Sequence, residues 1–498
     1  MSPIALVMTV LGCLAPAVAN EKTARLWEPI EWRFENSSWE GNPFDLIAEA
    51  TFRHTDSKVT IRTGLFYAGN KTWILRFTGT RPGEWEFTTR SKDPELDGRT
   101  GGVTIEPNPG VAGFMIPMGN KWGRLGLDEA FVPQFVSYAG PQDYFNKPDR
   151  IDTDIKTWFE EHGFNGFHTF VGMAWFDLDK ARGGYQQIPT EDPNPDPRTF
   201  EALELLIGKV HKAGGVVHVW TWGDEQRKMT PARWGINGRV DQRLQRYIGA
   251  RLGPLPGWSM GYGFDLQEWV KPDDLRIWHQ YMHEHMGWFH FLGGRAPELE
   301  QIYDGLDYSS YQQTRPTYDT YVEALEKRPG KPSFMEDRFR VRINVYPEKD
   351  YDLDMTRRGL WHSMMAGGVA NIWAYLIDAP KDGRSAVYPN REEIRTWSRF
   401  WKGRFHKEMA RNNRRTDGVC LEIAGRFCIF YKENTDSIRM DLTGLPTPVV
   451  ALAVDTRVQY REIPLAALEA TPGQAFKAPH KSDWVIAAGV LPRAETAR

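Results

Sequence analysis

From about residue 128 to residue 404 the chain repeats one rhythm: a short apolar run, a polar loop, then a helical stretch. FVPQFVSYAG leads into the helical IDTDIKTWFEEHG, and GFNGFHTFVGMAWF into FEALELLIGKVHKAG. GVVHVWTWGDE leads into DQRLQRYIGARLG, and GWSMGYGFDLQEW into DLRIWHQYMHEHM. GWFHFLGG, YDGLDYSSYQ, the helical TYDTYVEALEKRPG, KPSFMEDRF, RRGLWHSMMAGG and VANIWAYL complete the series. Short continuous apolar runs mark strands buried on both faces, and parallel strands need crossover helices between them. About eight such runs, each followed by a helix or long loop, predict a (β/α)8 TIM barrel. A doubly wound open sheet would normally carry a Gly-rich phosphate loop after its first strand, and none is present.

The flanks read differently. Between residues 25 and 110, DLIAEATFRH, KVTIRTGLFYA, TWILRFTG and GEWEFTTRS alternate apolar with polar residues. Turn clusters separate them, among them Glu40-Gly41-Asn42-Pro43 and Thr80-Arg81-Pro82-Gly83. That spacing predicts a β-sandwich. After residue 405 the chain is β-rich again, through GVCLEIAG, RFCIFYKE, SIRMDLTG, VVALAVDT and DWVIAAGV. The expected order is a multi-domain α/β chain: a leader over 1–19, a sandwich over 20–115, the barrel over 116–404 and a second sandwich over 405–498. A length of 498 residues suits several units of roughly 150 each.

Residues 2–19 are apolar and small and end in Ala17-Val18-Ala19, which resembles a secretory signal with an A-x-A cleavage site, although no positive n-region precedes it. Leu11-Gly12-Cys13 also loosely resembles a lipoprotein box. A secreted or periplasmic chain is expected, with lipid anchoring as the alternative. No later stretch is long enough for a membrane-spanning helix. A formal net charge of −3 gives no electrostatic footprint for nucleic acid. Cys420 and Cys428 flank a hairpin turn at Ala424-Gly425, and either a disulfide or two buried thiols fits that placement. No compact zinc spacing and no G-x-S-x-G elbow is seen, so no metal and no cofactor is expected.

In a TIM barrel the reacting groups sit where each strand meets its following loop. The fourth apolar run ends in Gly261-Tyr262-Gly263-Phe264-Asp265-Leu266-Gln267-Glu268-Trp269, and the seventh in Met335-Glu336-Asp337-Arg338. Glycosidic cleavage needs an acid for the leaving oxygen and a second carboxylate facing the anomeric centre. Glu268 and Glu336 fit those roles, each following a buried run. Barrel-rim ion pairing is the structural alternative for both. Arg338, Arg340 and Arg342 alternate after Glu336, and Arg295 follows Gly293-Gly294. These arginines suit barrel ion pairs, a partner for Glu336, or the sulfate or uronate groups of an anionic sugar. Trp222 and Asp224 end the third run, suited to stacking on a sugar ring and to binding a hydroxyl. His168 reads as a hydrogen-bonded core histidine, and Tyr308, Tyr311 and Trp373 lie near the ends of runs six and eight.

The layout resembles the large retaining glycosidase clan of TIM barrels, and GTRPGEWEFTTRS is similar to a family described only as a domain of unknown function. The resemblance implies an acid/base after strand four, at Glu268, and a nucleophile ending strand seven, at Glu336. It implies a tyrosine near strand six bonded to the nucleophile, for which Tyr308 stands. The chain departs from the clan in carrying Gln267-Glu268 where Asn-Glu is usual. Asp265, one helical turn earlier, therefore competes for the acid role or tunes Glu268. The expected substrate is a plant or algal polysaccharide or its oligosaccharides. A polysaccharide lyase and a non-catalytic carbohydrate-binding barrel are the rival readings.

Overall fold

The computed structural model describes residues 19–127, 129–180, 191–223, 234–263, 265–296, 305–311, 317–341, 350–373 and 387–490. The leader at 1–18, Asp224 and Arg342 lie outside them, as do the side chains of Asp337, Arg338 and Arg340. The chain divides into two compact units, residues 1–108 and 109–498.

The first unit has seven strands: β1 (Ala19–Arg25), β2 (Pro29–Glu35), β3 (Ala48–His54), β4 (Thr60–Tyr67), β5 (Thr72–Thr78), β6 (Gly83–Ser91) and β7 (Thr100–Glu106). They pair in the order β1-β7-β6-β3-β4-β5-β2. Thr60–Gly64 of β4 ladders with β3, while Leu65–Tyr67 ladders with β5. Period-two patterning explains the strands: β6 buries Trp85, Phe87 and Thr89 and exposes Glu84, Glu86 and Thr88. Phe52 of β3 stacks on Phe77 of β5 with centroids 3.9 Å apart, so rings from both ladders share one core.

The second unit opens with the hairpin β8 (Met115–Met118) and β9 (Lys121–Arg124). A barrel follows: β10 (Gln134–Ser137), β11 (Gly166–Phe170), β12 (Val216–Trp222), β13 (Trp258–Gly263), β14 (Leu292–Gly293), β15 (Ser309–Tyr311), β16 (Ser333–Val341) and, after the short β17 (Asp350–Tyr351) that pairs with β16, β18 (Ala370–Trp373). The eight strands run parallel in the order β14-β13-β12-β11-β10-β18-β16-β15, and a bridge between Ala296 and Tyr311 brings the two ends together. The result is a nearly closed parallel barrel. Helices α1 (Pro141–Asn146), α2 (Arg150–Ile155), α3 (Pro197–Lys212), α4 (Arg239–Leu252), α5 (Pro272–Met286), α6 (Tyr318–Lys327), α7 (Leu353–Met365) and α8 (Arg391–Trp401) connect its strands and follow it. The sequence sets α3 directly: Asp196 caps its first turn by accepting from Arg198 N–H, Pro197 opens it, and Phe200, Leu203, Ile207 and Val210 bury one stripe.

Side chains fill the barrel in layers. Trp122 of β9 enters from below, donates its indole N–H to the Ser333 carbonyl at 3.0 Å and packs on Phe291, Tyr308 and Phe334. The hairpin thereby closes the N-terminal end and leaves the C-terminal end for chemistry.

The chain ends in β19 (Ala410–Arg411), β20 (Val419–Ile423), β21 (Phe427–Met440), β22 (Ala451–Asp455), β23 (Ile463–Pro464) and β24 (Gln474–Gly489), an antiparallel sheet ordered β19-β20-β21-β24-β22-β23. It belongs to the same compact unit as the barrel. The seam explains this: Arg357 of α7 is fully buried and donates to the equally buried Asp483 at 2.6 Å, while Trp361 stacks on Tyr431. Cys420 and Cys428 are buried free thiols, because β20 pairs Cys428 with Glu422 and Cys420 with Phe430. Of the two arrangements the sequence allowed, the structure has the unbonded one. No described helix is long and apolar enough to cross a membrane.

Candidate active site

Alternation along β16 sends Phe334 and Glu336 into the barrel, Phe334 in the packed middle and Glu336 above it. The same period turns His218 and Trp220 of β12 inward, and Tyr308 and Ser310 at β15. Register then decides which of these meet. β12 and β13 pair Trp220 with Gly261, which sets an indole and a bare backbone at one height.

Glu336 has no solvent exposure. A buried carboxylate is sustained only by donors, and four groups surround this one. Trp220 Nε1–H donates to Oε1 and Ser310 Oγ–H to Oε2. Tyr308 OH lies 3.4 Å from Oε2, and His218 Nε2 lies 3.3 Å from Oε1. Burial and then the negative charge of Glu336 push the Tyr308 phenol well above its ordinary value, so it remains a neutral donor. His218 Nε2 also lies 3.3 Å from the Tyr308 hydroxyl, and its Nδ1 lies 2.9 Å from Nδ1 of His168. With the proton of His218 on Nε2, its Nδ1 accepts from His168, and the Nε2–H of His218 faces the carboxylate.

Glycine is required opposite. A Cβ at Gly261 would sit on the Glu336 Oε1 atom and 2.7 Å from Cδ1 of Trp220. Gly293 makes the same concession to the Tyr308 ring. Glycines inside strands mark such close approaches.

The turn after β13 carries the other carboxylates. Asp265 holds a left-handed φ of 53°, a conformation that Asp tolerates better than most residues, and it pairs with Arg295. Arg295 is buried beneath this contact, its guanidinium 5.7 Å from the Trp220 ring. Asp265, Arg295, Trp220 and Glu336 thus form one chain of contacts. Arg295 serves here as an ion-pair partner. Glu268 ends the short 3-10 turn Leu266–Glu268 and is exposed.

The remaining candidates separate. Trp222 is fully buried, facing Phe176 with centroids 6.2 Å apart, and presents no face to solvent. Trp373 is also fully buried and donates to Gln134 Oε1 at 2.8 Å. Tyr311 is buried within β15. Asp224 and the side chain of Arg338 lie outside the described residues. Sequence reading passed over Trp220, Ser310, His218 and Gly261. Polar residues at alternate positions of apolar runs were the available signal for Ser310 and His218. Among the described residues, one trio could hold a metal ion: His279, His283 and Asp307, on the α5 side of the barrel wall.

A family described as a domain of unknown function, DUF5060, matches residues 23–92, the stretch that contains GTRPGEWEFTTRS. No curated protein sequence matches the chain. Several solved structures do match in fold. One, described as a candidate glycoside hydrolase from Bacteroides vulgatus, is 16% identical over 94% of this chain and 99% of its own, with a TM-score of 0.74. A second glycoside hydrolase is 10% identical over 76% of this chain and 97% of its own, at a TM-score of 0.58. A family 5 glycoside hydrolase from Bacteroides vulgatus is 10% identical over 78% and 94%, at 0.55. At these identities the likeness is one of fold.

Proposed function

We propose that this chain is a glycoside hydrolase that cleaves a plant or algal polysaccharide, or its oligosaccharides, by a retaining mechanism with Glu336 as nucleophile and no cofactor. The observation that carries the reading is a buried carboxylate within the seventh barrel strand, held by Trp220, Ser310, Tyr308 and His218 beside a bare glycine. Donors on both oxygens hold the carboxylate in place and aim it for attack. Glu336 forms a glycosyl ester with the anomeric carbon while an acid protonates the leaving oxygen. That residue, now a base, then takes a proton from water as the water displaces Glu336.

Two carboxylates compete for the acid role. Its contact chain through Arg295 and Trp220 supports Asp265. The Arg295 pairing also occupies the Asp265 carboxylate, and this supports the exposed Glu268 as the proton donor. The apolar leader at 2–19 supports an exported chain, secreted or periplasmic.

The test is hydrolysis of neutral, sulfated and uronate polysaccharides by wild type and by the Glu336→Gln, Asp265→Asn and Glu268→Gln variants. Turnover with retention at the anomeric carbon, lost in Glu336→Gln, supports the reading. The acid variant should keep activity on substrates with good leaving groups and be rescued by azide. An unsaturated product would mean a lyase. Oligosaccharide binding without turnover, unchanged in Glu336→Gln, would mean a binding protein.

A further inference from the structure

Away from the barrel mouth, α5 packs against the strands with His279 and His283 one turn apart, facing the same way. Their Nε2 atoms converge on one carboxylate: His279 Nε2 lies 3.5 Å from Oδ1 of Asp307, and His283 Nε2 lies 2.9 Å from its Oδ2. Asp307 comes from a different element, just before β15, and is fixed in place. Its backbone N–H donates to the Leu292 carbonyl at 3.1 Å, and Leu292 N–H returns a bond to its Oδ2 at 2.8 Å. Tyr262 of β13 sets its hydroxyl 3.1 Å from Nδ1 of His279. If Nδ1–H donates to that hydroxyl, the Nε2 lone pair is turned outward toward Asp307. An oriented imidazole of this kind is the usual companion of a histidine metal ligand.

The spacing fits a small tetrahedral ion. Ligands about 2.0–2.1 Å from zinc at tetrahedral angles stand about 3.3 Å apart. The two Nε2–carboxylate separations, 3.5 and 2.9 Å, bracket that figure, and one ligand atom from each residue falls within 4.8 Å of the other two. The three side chains are 12%, 29% and 15% exposed, so an ion can enter and water can take a fourth position. Imidazole and carboxylate ligands suit Zn2+ and its neighbours better than Ca2+ or Mg2+, which prefer oxygen alone.

We propose that His279, His283 and Asp307 form a three-ligand site for a Zn2+-class ion that ties α5 to the segment leading into β15, which Leu292 of β14 holds by hydrogen bonds. Its role is structural. Asp307 adjoins Tyr308, so the ion would brace the strand whose Tyr308 and Ser310 surround Glu336.

The test uses the full chain without a histidine tag, stripped with chelator and titrated with Zn2+ and separately with Co2+. Expected are saturable binding of one Zn2+ per chain, a raised melting temperature and a visible Co2+ spectrum of tetrahedral type. His283→Ala and Asp307→Asn should each weaken Zn2+ binding by at least about 10–100-fold, the scale seen when even an outer partner of a metal ligand is lost. Absence of one-per-chain binding in the wild type would overturn the proposal, as would wild-type affinity in folded His283→Ala. Should that variant fail to fold, the Co2+ spectrum of wild type decides alone: octahedral or absent absorption rejects the site.

Discussion

Gly261→Ala isolates the geometry of the proposed nucleophile with a single methyl group. Gly261 does not occupy the left-handed region, so alanine is compatible with the backbone and the effect is steric. The added carbon would lie 2.7 Å from Trp220 Cδ1, where carbon contacts ordinarily settle at about 3.5–4.0 Å, and would overlap Glu336 Oε1. Relief needs a shift of roughly 1 Å in the indole and the carboxylate. Neither moves cheaply, since the Trp220 and Ser310 bonds to Glu336 would break or lengthen. Overpacking of this kind costs about 1–3 kcal/mol, and a misplacement of about 1 Å at a reacting group costs about 100-fold in rate. The expected result is kcat lower by about 100-fold with a melting temperature lower by a few degrees. Initial rates on a substrate cleaved by wild type, with thermal melts, provide the measurement. Gly208→Ala is the control, because a Cβ there meets nothing within 4 Å. Wild-type kcat and wild-type melting in Gly261→Ala would refute the packing of Trp220, Gly261 and Glu336.

Trp220→Phe keeps the ring contact but deletes the N–H that serves Glu336 Oε1; a bond to a charged group is worth about 1.5–3 kcal/mol, so kcat/KM should fall about 10–100-fold. An unchanged rate would remove Trp220 from the site. Asp483→Asn breaks the buried pairing with Arg357 at the seam between barrel and C-terminal sheet and should cost about 3–5 kcal/mol in urea unfolding at neutral pH. Burial opposes the Asp483 charge, but bonds from Arg358, Asn434 N–H and Arg357 prevail and hold its carboxyl below the ordinary 3.8. A depressed folded value stabilises above the unfolded one, so the difference between wild type and variant should be full above pH 3.8 and shrink as pH falls below it. A difference that stays constant down to pH 2.5 would reject the charge pairing as its source.

What the sequence discloses about this site stops at the edge of each strand. Apolar runs of β length alternating with helical stretches were enough to read the barrel, because strands buried on both faces read as near-continuous apolar runs. Glu336 stood out as the first acid after a buried run. The indole beside it did not. Trp220 and Trp222 share a face by period two, and the residue nearest the loop was the natural choice for a sugar platform. Only the register of β12 against β13, which pairs Trp220 with Gly261, puts the inner indole on the carboxylate and leaves Trp222 against Phe176. The glycine itself was a readable sign, since Gly-Tyr-Gly within a strand announces a close approach, yet the carboxylate that approaches comes from β16, three barrel strands later in the chain. The trio at α5 follows the same logic. His279-x-x-x-His283 is visible on one helix face, but Asp307 becomes its third member only after two strands have been laid beside it. Composition and periodicity therefore specify which faces are buried, and inter-strand register specifies which buried polar groups meet. Chemistry in a barrel of this kind depends on the second, so its site is best located by asking where glycine and a buried charge fall at one height.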